Sequence, residues 1–403
     1  MKILYISRLF TGLEQVIIEE KWIPTGVPTI YKIIEELNER SELQLILNRK
    51  IGYYRNKHLK KTKIKLDRFK KPIIVYDYIQ FNFSPSFFNK LLTEIYQSFL
   101  HIYQFLKIRP DIVYIDNSNI VSAAILSRVS NVPVIFRVMG VYPVMKNYLK
   151  KNNLISKIYL KLYNSPFNTV IGTEDGSGTK EWMKRVINKK SNQHTLINGV
   201  KKEKLNLFSN KNKKFKICFI GKLEKAKGAD VFFSSALKFI SDSKNVQFIM
   251  VGSGSLYNGI SHEIQQKKLE NEFKLIRHLE HNDIYKLLDE IDLYVSLNKY
   301  GSLSNVNLEA ISMNKAMIIL NSDKKTETDL FVDKFIPKNA VIRIDRDNIE
   351  NELISVFHEI MNDNKLIDKL KNNIKYVSSK LESWEDRINK EINIILKAYE
   401  RKT

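Results

Sequence analysis

The sequence predicts an α/β protein built from two Rossmann-like domains. Three observations carry that prediction. Short apolar runs alternate with helical patterns along 403 residues, the series of runs restarts midway, and a lysine-rich stretch without periodicity separates the two series. A chain of this length can bury two cores, and its 43% hydrophobic and 27% charged content is that of a globular protein.

In the first series, KILYI (2–6), LQLIL (43–47), PIIVYDYI (72–79), DIVYI (111–115), PVIFRVM (133–139) and TVIGT (169–173) read as strands. TIYKIIEELNER (29–40) and IVSAAILSRVS (120–130) read as helices between them. In the second series the strands are FKICFIG (215–221), VQFIMVG (246–252), EFKLIRH (272–278), IDLYVSL (291–297) and AMIIL (316–320). INGVKKEKLNLFSNKNKKFK (197–216) is the expected junction, because it is polar and patternless. SWEDRINKEINIILKAYE (383–400) reads as a last helix with Ser383 as its N-cap. The expected domains are therefore 1–203 and 204–383, with the last helix at 384–403.

The single cysteine, Cys218, fits a reducing compartment. MKILYI reads as a first strand and not as a signal peptide, and no run of 18 apolar residues occurs. Net charge is uneven: residues 1–200 hold 31 Lys+Arg against 15 Asp+Glu, and residues 201–403 hold 35 against 29. That bias reads either as a surface facing something anionic or as a general richness in lysine. It is densest at 55–71, where Arg55, Lys57, Lys60, Lys61, Lys63, Lys65, Arg68, Lys70 and Lys71 face one acid, Asp67. SFFNKLLTEIYQSFLHIYQFL (86–106) then sets apolar and aromatic residues at helical spacing. It reads as a membrane-facing surface or, more plainly, as a helix packed on the sheet.

Parallel sheets bind ligands where strands end and helices begin. Three such loops stand out in the second series. GKLEKAKGAD (221–230) has Gly221 and Gly228 for tight turns, with Lys222 and Lys227 placed to meet a diphosphate. VGSGS (251–255), with Gly252, is a generic turn that lacks the rest of a dinucleotide fingerprint. YGSLSNVNLEA (300–310) offers Ser302, Ser304 and Asn305 as caps, amides near Val306 and Asn307 for a phosphate, and Glu309 to accept two ribose hydroxyls. His278 and His281 read as surface or capping residues.

This combination resembles the retaining glycosyltransferases of the GT-B fold, in particular the large family 4, over nearly the whole chain. FIGKLEKAKGAD looks like that family's diphosphate loop, YGSLSNVNLEAISMNKAMII like its Glu-x7-Glu segment, and INGV (197–200) like its Asn-Gly-Val stretch. SWEDR looks like the start of the helix that in this fold returns to the first domain. PTGVP (24–28), with Gly26, sits where a first-domain glycine loop nears the donor. Three positions depart from the pattern: Gly301 stands for the first Glu, Lys222 for the usual Arg, and Met139 for a frequent His.

The resemblance implies two domains facing across a cleft and transfer of a sugar, with retention, from a nucleotide-sugar donor, a UDP-sugar first among the candidates. Lys222, Lys227 and the helix start would stabilise the leaving group, with no metal and no other cofactor. The acceptor would be lipid-linked or a saccharide, in surface polysaccharide or glycolipid synthesis. The expected place is the cytoplasmic face of an anionic membrane. The rival readings are a catalytically silent GT-B partner, which Gly301 and Met139 favour, and a nucleic-acid-binding protein. Against the latter, the basic residues interleave with neither a recognition helix nor an aromatic platform.

Overall fold

A computed structural model describes residues 1–50, 62–78, 86–202, 214–240 and 245–401. The chain forms two compact units. One comprises residues 1–173, 179–196 and 385–403, and the other comprises 174–178 and 197–384. The second unit thus takes up INGV and a five-residue excursion, Glu174–Gly178, both of which the sequence boundary at 203/204 assigns to the first domain.

In the first unit the order is β1 (Lys2–Arg8), α1 (Thr11–Glu19), α2 (Pro28–Arg40), β2 (Glu42–Asn48), β3 (Lys63–Ile64), β4 (Ile73–Tyr76), α3 (Ser86–Ile108), β5 (Ile112–Asp116), α4 (Ile120–Val129), β6 (Val134–Val138), α5 (Pro143–Lys150), α6 (Leu154–Tyr163), β7 (Thr169–Thr173), α7 (Thr179–Val186) and β8 (Asn192–Leu196). The sheet order is β3-β4-β2-β1-β5-β6-β7-β8. All pairs are parallel except β3 with β4. The order reverses direction between β1 and β5, where Asp116 accepts from the Ser7 hydroxyl at 2.7 Å and the Arg8 amide at 2.9 Å.

The second unit runs β9 (Phe215–Ile220), α8 (Ala229–Ile240), β10 (Val246–Val251), α9 (Tyr257–Gln266), β11 (Phe273–Ile276), α10 (His281–Glu290), β12 (Leu293–Ser296), α11 (Asn305–Ser312), β13 (Ala316–Leu320), α12 (Val332–Phe335), β14 (Ile342–Ile344), α13 (Ile349–Asn362) and α14 (Asn364–Lys380). Its six strands are all parallel in the order β11-β10-β9-β12-β13-β14, which is the doubly wound Rossmann arrangement. Such strands are buried on both faces and so read as unbroken apolar runs. Phe232, Phe248, Phe273 and Phe357 pack in one core, and Leu308, Ile311, Met317 and Ile319 in another.

α15 (Trp384–Glu400) belongs to the first unit from Glu385 onward. A fully buried charge cluster ties it there. Glu391 pairs with Arg137 at 3.0 Å and Arg387 at 2.6 Å, and accepts from the Tyr114 hydroxyl. Burial is the largest influence on Glu391 and pushes its pKa up. The two guanidinium charges and the hydrogen bonds from Tyr114 and Arg387 outweigh it, leaving the carboxyl below its usual range.

α3 packs on the first unit's core, as expected of a helix on a sheet, through half-buried Ile102, Phe105 and Ile108, but its most deeply buried positions are not apolar. Its buried positions are polar: Thr93, Glu94, Gln97, Ser98 and His101. Gln97 accepts from the Lys50 ammonium at 2.7 Å, and His101 bridges Ser122 at 2.7 Å and Asn48 at 3.0 Å. Burial holds the imidazole well below its ordinary pKa, with the Lys50 charge adding to the effect, so it stays neutral. Five other apolar residues of the helix face out: Phe99 is 69% and Leu106 65% exposed, alongside Ile95, Tyr96 and Tyr103. Of the basic run, Arg55, Lys57, Lys60 and Lys61 lie outside the described residues.

Candidate active site at the strand-order reversal of the second unit

The reversal between β9 and β12 splays their following loops apart, so a doubly wound sheet binds ligands there. Both lysines and the Glu309 segment follow these two strands. After β9 the chain makes a short 3-10 turn, Lys225–Lys227, and Gly228 (φ 75°) ends it. A Cβ at 228 would lie 2.4 Å from that of Leu297, so glycine is what lets the two loops close. Lys227 Nζ donates to Asn298 Oδ1 at 3.2 Å, and Asn298 Nδ2 donates to the Gly301 carbonyl at 2.6 Å. Lys222 is exposed. Burial lowers the pKa of the Lys227 ammonium, the Asp175 charge opposes that, and Lys222 lowers it further. The two cations are thus close enough to act on each other and on a common anion.

Gly252 (φ 141°) follows β10 and packs on Gly221, whose carbonyl oxygen would be 1.9 Å from any Cβ there. This turn supports the lysine loop: Leu223 N–H donates to the Ser253 carbonyl at 3.0 Å.

At the start of α11, Ser304 is the cap, its hydroxyl accepting from the Asn307 amide at 3.4 Å. Of the other expected caps, Ser302 donates to Asp329 at 2.9 Å and Asn305 accepts from Asn198 of the INGV stretch at 2.7 Å. The Asn307 amide is therefore committed, while those of Asn305 and Val306 have no hydrogen-bond partner among the described residues. The Asn307 side chain is a buried hub, donating to Ser296 at 2.9 Å and accepting from Tyr294 at 2.9 Å. Glu309 lies one turn deeper, 3% exposed, and burial pushes its carboxyl up to about 8. The ionisable side chain beside it is His281, with Nε2 3.2 Å from Oε1. The sequence alone suggests a surface or capping role for His281. It is half-exposed, yet it reaches the buried acid from the first position of α10.

Gly301 is a glycine for a physical reason. Its φ is 138°, and a Cβ would stand 2.6 Å from the Asp175 carbonyl oxygen, 2.7 Å from the Gly176 carbonyl carbon and 2.8 Å from the Ser177 nitrogen. The excursion Glu174–Gly178 fills that space. Leu303 N–H donates to the Asp175 carbonyl at 3.0 Å, and Asp329 N–H donates to that of Gly176 at 2.7 Å. Asp329 in turn accepts from the Ser302 amide at 2.7 Å and pairs with Arg346 at 3.2 Å. Burial raises its carboxyl to about 6, although the Ser302 bonds and the Arg346 charge oppose this. Sequence reasoning misses Asp175. The signal is present in TEDGSGT, an acid flanked by turn glycines just after a strand.

In the first unit, Gly26 (φ 91°) packs over Gly12 beside the end of β1, where Thr25 N–H donates to the Gly12 carbonyl at 3.1 Å. Met139 directly follows β6. No cluster of three or more metal-ligating side chains occurs among the described residues.

Residues 200–376, most of the second unit, match the family model Glycosyl transferases group 1. No curated protein matches the chain. Among solved structures it resembles sucrose-phosphate synthase from Thermosynechococcus elongatus, with TM-score 0.71 and 13% identity over 100% of both chains. It also resembles Anabaena Alr3699/HepE in complex with UDP, with TM-score 0.66 and 14% identity over 99% of this chain and 100% of that one. A third likeness is to the apo form of the lipopolysaccharide outer core galactosyltransferase WaaB, with TM-score 0.60 and 12% identity over 98% and 99%. At such identities structural likeness speaks to the fold, while the match of residues 200–376 speaks to the kind of domain. The chain has the two-domain GT-B fold, and residues 200–376 of its second unit match the glycosyl transferases group 1 domain.

Proposed function

We propose that the protein transfers a sugar, with retention of configuration, from a nucleotide-sugar donor to the hydroxyl of a lipid-linked or saccharide acceptor. A family 4-type role in surface polysaccharide or glycolipid synthesis fits best. The observation that carries this reading is the convergence of Lys222, Lys227 and the free amides of α11 at the β9/β12 reversal, with buried Glu309 one turn deeper. Lys222 and Lys227 meet the diphosphate, the Asn305 and Val306 amides add donors, and Glu309 accepts the ribose hydroxyls. The acceptor hydroxyl attacks on the face that the diphosphate leaves. The lysines stabilise the departing charge electrostatically, and neither metal nor cofactor takes part. UDP is the first candidate carrier, since a GT-B neighbour is described in complex with UDP.

The same reading places the protein in the cytoplasm, peripheral on the inner face of the membrane. The exposed Ile95, Tyr96, Phe99, Tyr103 and Leu106 of α3 support it. So do the exposed Tyr142, Val144, Leu149, Leu154 and Ile158 of the α5–α6 region. Residues 117–173 contain no acid, while Lys146, Lys150, Lys151, Lys157 and Lys161 fall among those apolar positions. An anionic surface attracts each such lysine by about 1 kcal/mol. Among the described residues no helix is long and apolar enough to cross a membrane.

Two measurements test the proposal. A screen of UDP-, GDP- and ADP-sugars for slow donor hydrolysis should single out one donor. Binding of nucleotide with no hydrolysis of any donor would favour a silent partner, which the locked Gly301 would suit. Sedimentation should give attachment to anionic liposomes, weak binding to neutral ones and release by high salt. Equal binding to both would remove the electrostatic part, and no binding would point to a soluble acceptor.

A further inference from the structure

The His281–Glu309 pair has a role that the donor-site reading does not by itself require. Glu309 is 3% exposed, and burial lets its carboxyl hold a proton up to about pH 8. A protonated carboxyl is a poor acceptor for two ribose hydroxyls, because one oxygen becomes a donor. The acid must therefore lose its proton when a nucleotide docks. The side chain placed to receive it is His281, whose Nε2 is 3.2 Å from Oε1. Its ring is fixed by stacking on Tyr285, with centroids 5.6 Å apart and planes 3° from parallel, and the Tyr285 hydroxyl accepts from the Lys201 amide at 3.2 Å. Half of His281 is open to water, so an imidazolium there is solvated.

We propose that His281 is a positioning residue of the nucleotide site, taking the proton from Glu309 as ribose docks so that the carboxylate meets both hydroxyls. The proton leaves Glu309 Oε1 and settles on His281 Nε2. No bond to the ligand changes, and no proton is exchanged with solvent. The resulting imidazolium then faces the carboxylate, which gives the ionised form a charged neighbour.

The surrounding groups leave this pair as the pathway. On α10, Asp283 pairs with Lys286 at 2.8 Å, and in the loop before it exposed Glu280 pairs with His278 at 3.2 Å. From β12, Tyr294 is buried and its phenol is pushed up, first by burial and then by the charges of Cys218 and Glu309. Asn305 and Asn307 on α11 do not titrate. Burial alone holds Glu309 at about 8, so without His281 the proton must go to solvent, and docking below that pH is penalised.

The inference rests on the donor-site reading, and the experiment separates the two. Affinity for UDP, with GDP and ADP as alternates, is measured by calorimetry from pH 7 to 9 in buffers of different ionisation enthalpy. The variants are His281→Gln and Glu309→Gln. The wild type should bind with nearly constant affinity and negligible proton release. His281→Gln should match it at pH 9, weaken about tenfold at pH 7, and release close to one proton on binding at pH 7. Glu309→Gln should bind weakly at every pH. A His281→Gln profile parallel to the wild type, whether unchanged or uniformly weakened, overturns the proton role. Absence of binding of all three nucleotides by the wild type overturns the donor-site reading instead.

Discussion

Restoring the acid that the family pattern expects at position 301 should damage this protein. Gly301→Glu, and Gly301→Ala beside it, place a Cβ at φ 138° and within 2.6–2.8 Å of three backbone atoms of residues 175–177. The backbone strain is worth about 1–3 kcal/mol, and forcing the 175–177 segment aside adds about 1–3 kcal/mol more. A loss of roughly 2–6 kcal/mol in a unit of this size corresponds to a Tm lower by roughly 5–20 °C. The displaced segment carries the acceptors of the Leu303 and Asp329 amides, so UDP affinity should fall along with stability. Differential scanning calorimetry of the full chain measures the first effect, and titration with UDP at a temperature where the variant is folded measures the second. Alanine is the decisive variant because it adds the Cβ and nothing else. If Gly301→Ala melts within about 2 °C of the wild type, the reasoning from φ and close approach fails. If Gly301→Glu gains transferase activity, the position is a dispensable loss and not an enforced one.

Lys227→Ala should weaken UDP binding by roughly 1.5–3 kcal/mol and abolish measurable transfer with the fold intact, since one charge-assisted contact is removed. Unchanged affinity and turnover would show the lysine loop to be misassigned. Glu309 should also mark the stability of the ligand-free protein. Its folded pKa of about 8 lies above the unfolded value, so the native state holds the extra proton between them. That stabilisation is complete below about pH 4.3 and is lost as pH rises through 8. Glu309→Gln should flatten this part of the Tm–pH curve, and identical slopes would disprove the assignment. Glu391→Ala should cost about 3–5 kcal/mol, because it leaves Arg137 and Arg387 buried without their anion. Urea melts that differ by less than about 1 kcal/mol would mean the cluster is replaceable.

The strands that the sequence reveals are those with both faces covered, where burial alone writes an apolar run. β1, β5 and β13 are of this kind. Three of the four edge strands escape, because half of their surroundings is water; β11, at the edge of the second sheet, is legible as FKLI. β8 is NQHTL, β14 has three residues, and β3 sits within the basic run. The placement of Lys227 and Glu309 at strand ends is legible because a strand, a turn glycine and a helix start surround each of them locally. His281 is not, since its partner is 28 positions away and only the fold brings them together. Helix α3 is legible as a helix packed on the sheet, but not its polar buried positions. Periodicity tells which residues share a face, and the buried network of Gln97, His101, Asn48 and Ser122 decides which face turns inward.

The cluster around Glu391 also sets a timetable. Tyr114 waits for a partner 277 residues further along the chain. During synthesis the first unit is begun first, but it holds Arg137 without its anion until the last helix has emerged. Closing so long a loop is slow more than it is costly, because loop entropy grows only logarithmically with length whereas folding rate falls with sequence separation. The amino-terminal unit is thus the first made and the last finished. A ribosome paused anywhere before residue 391 carries an incomplete first unit, even when the whole of the second has already been translated.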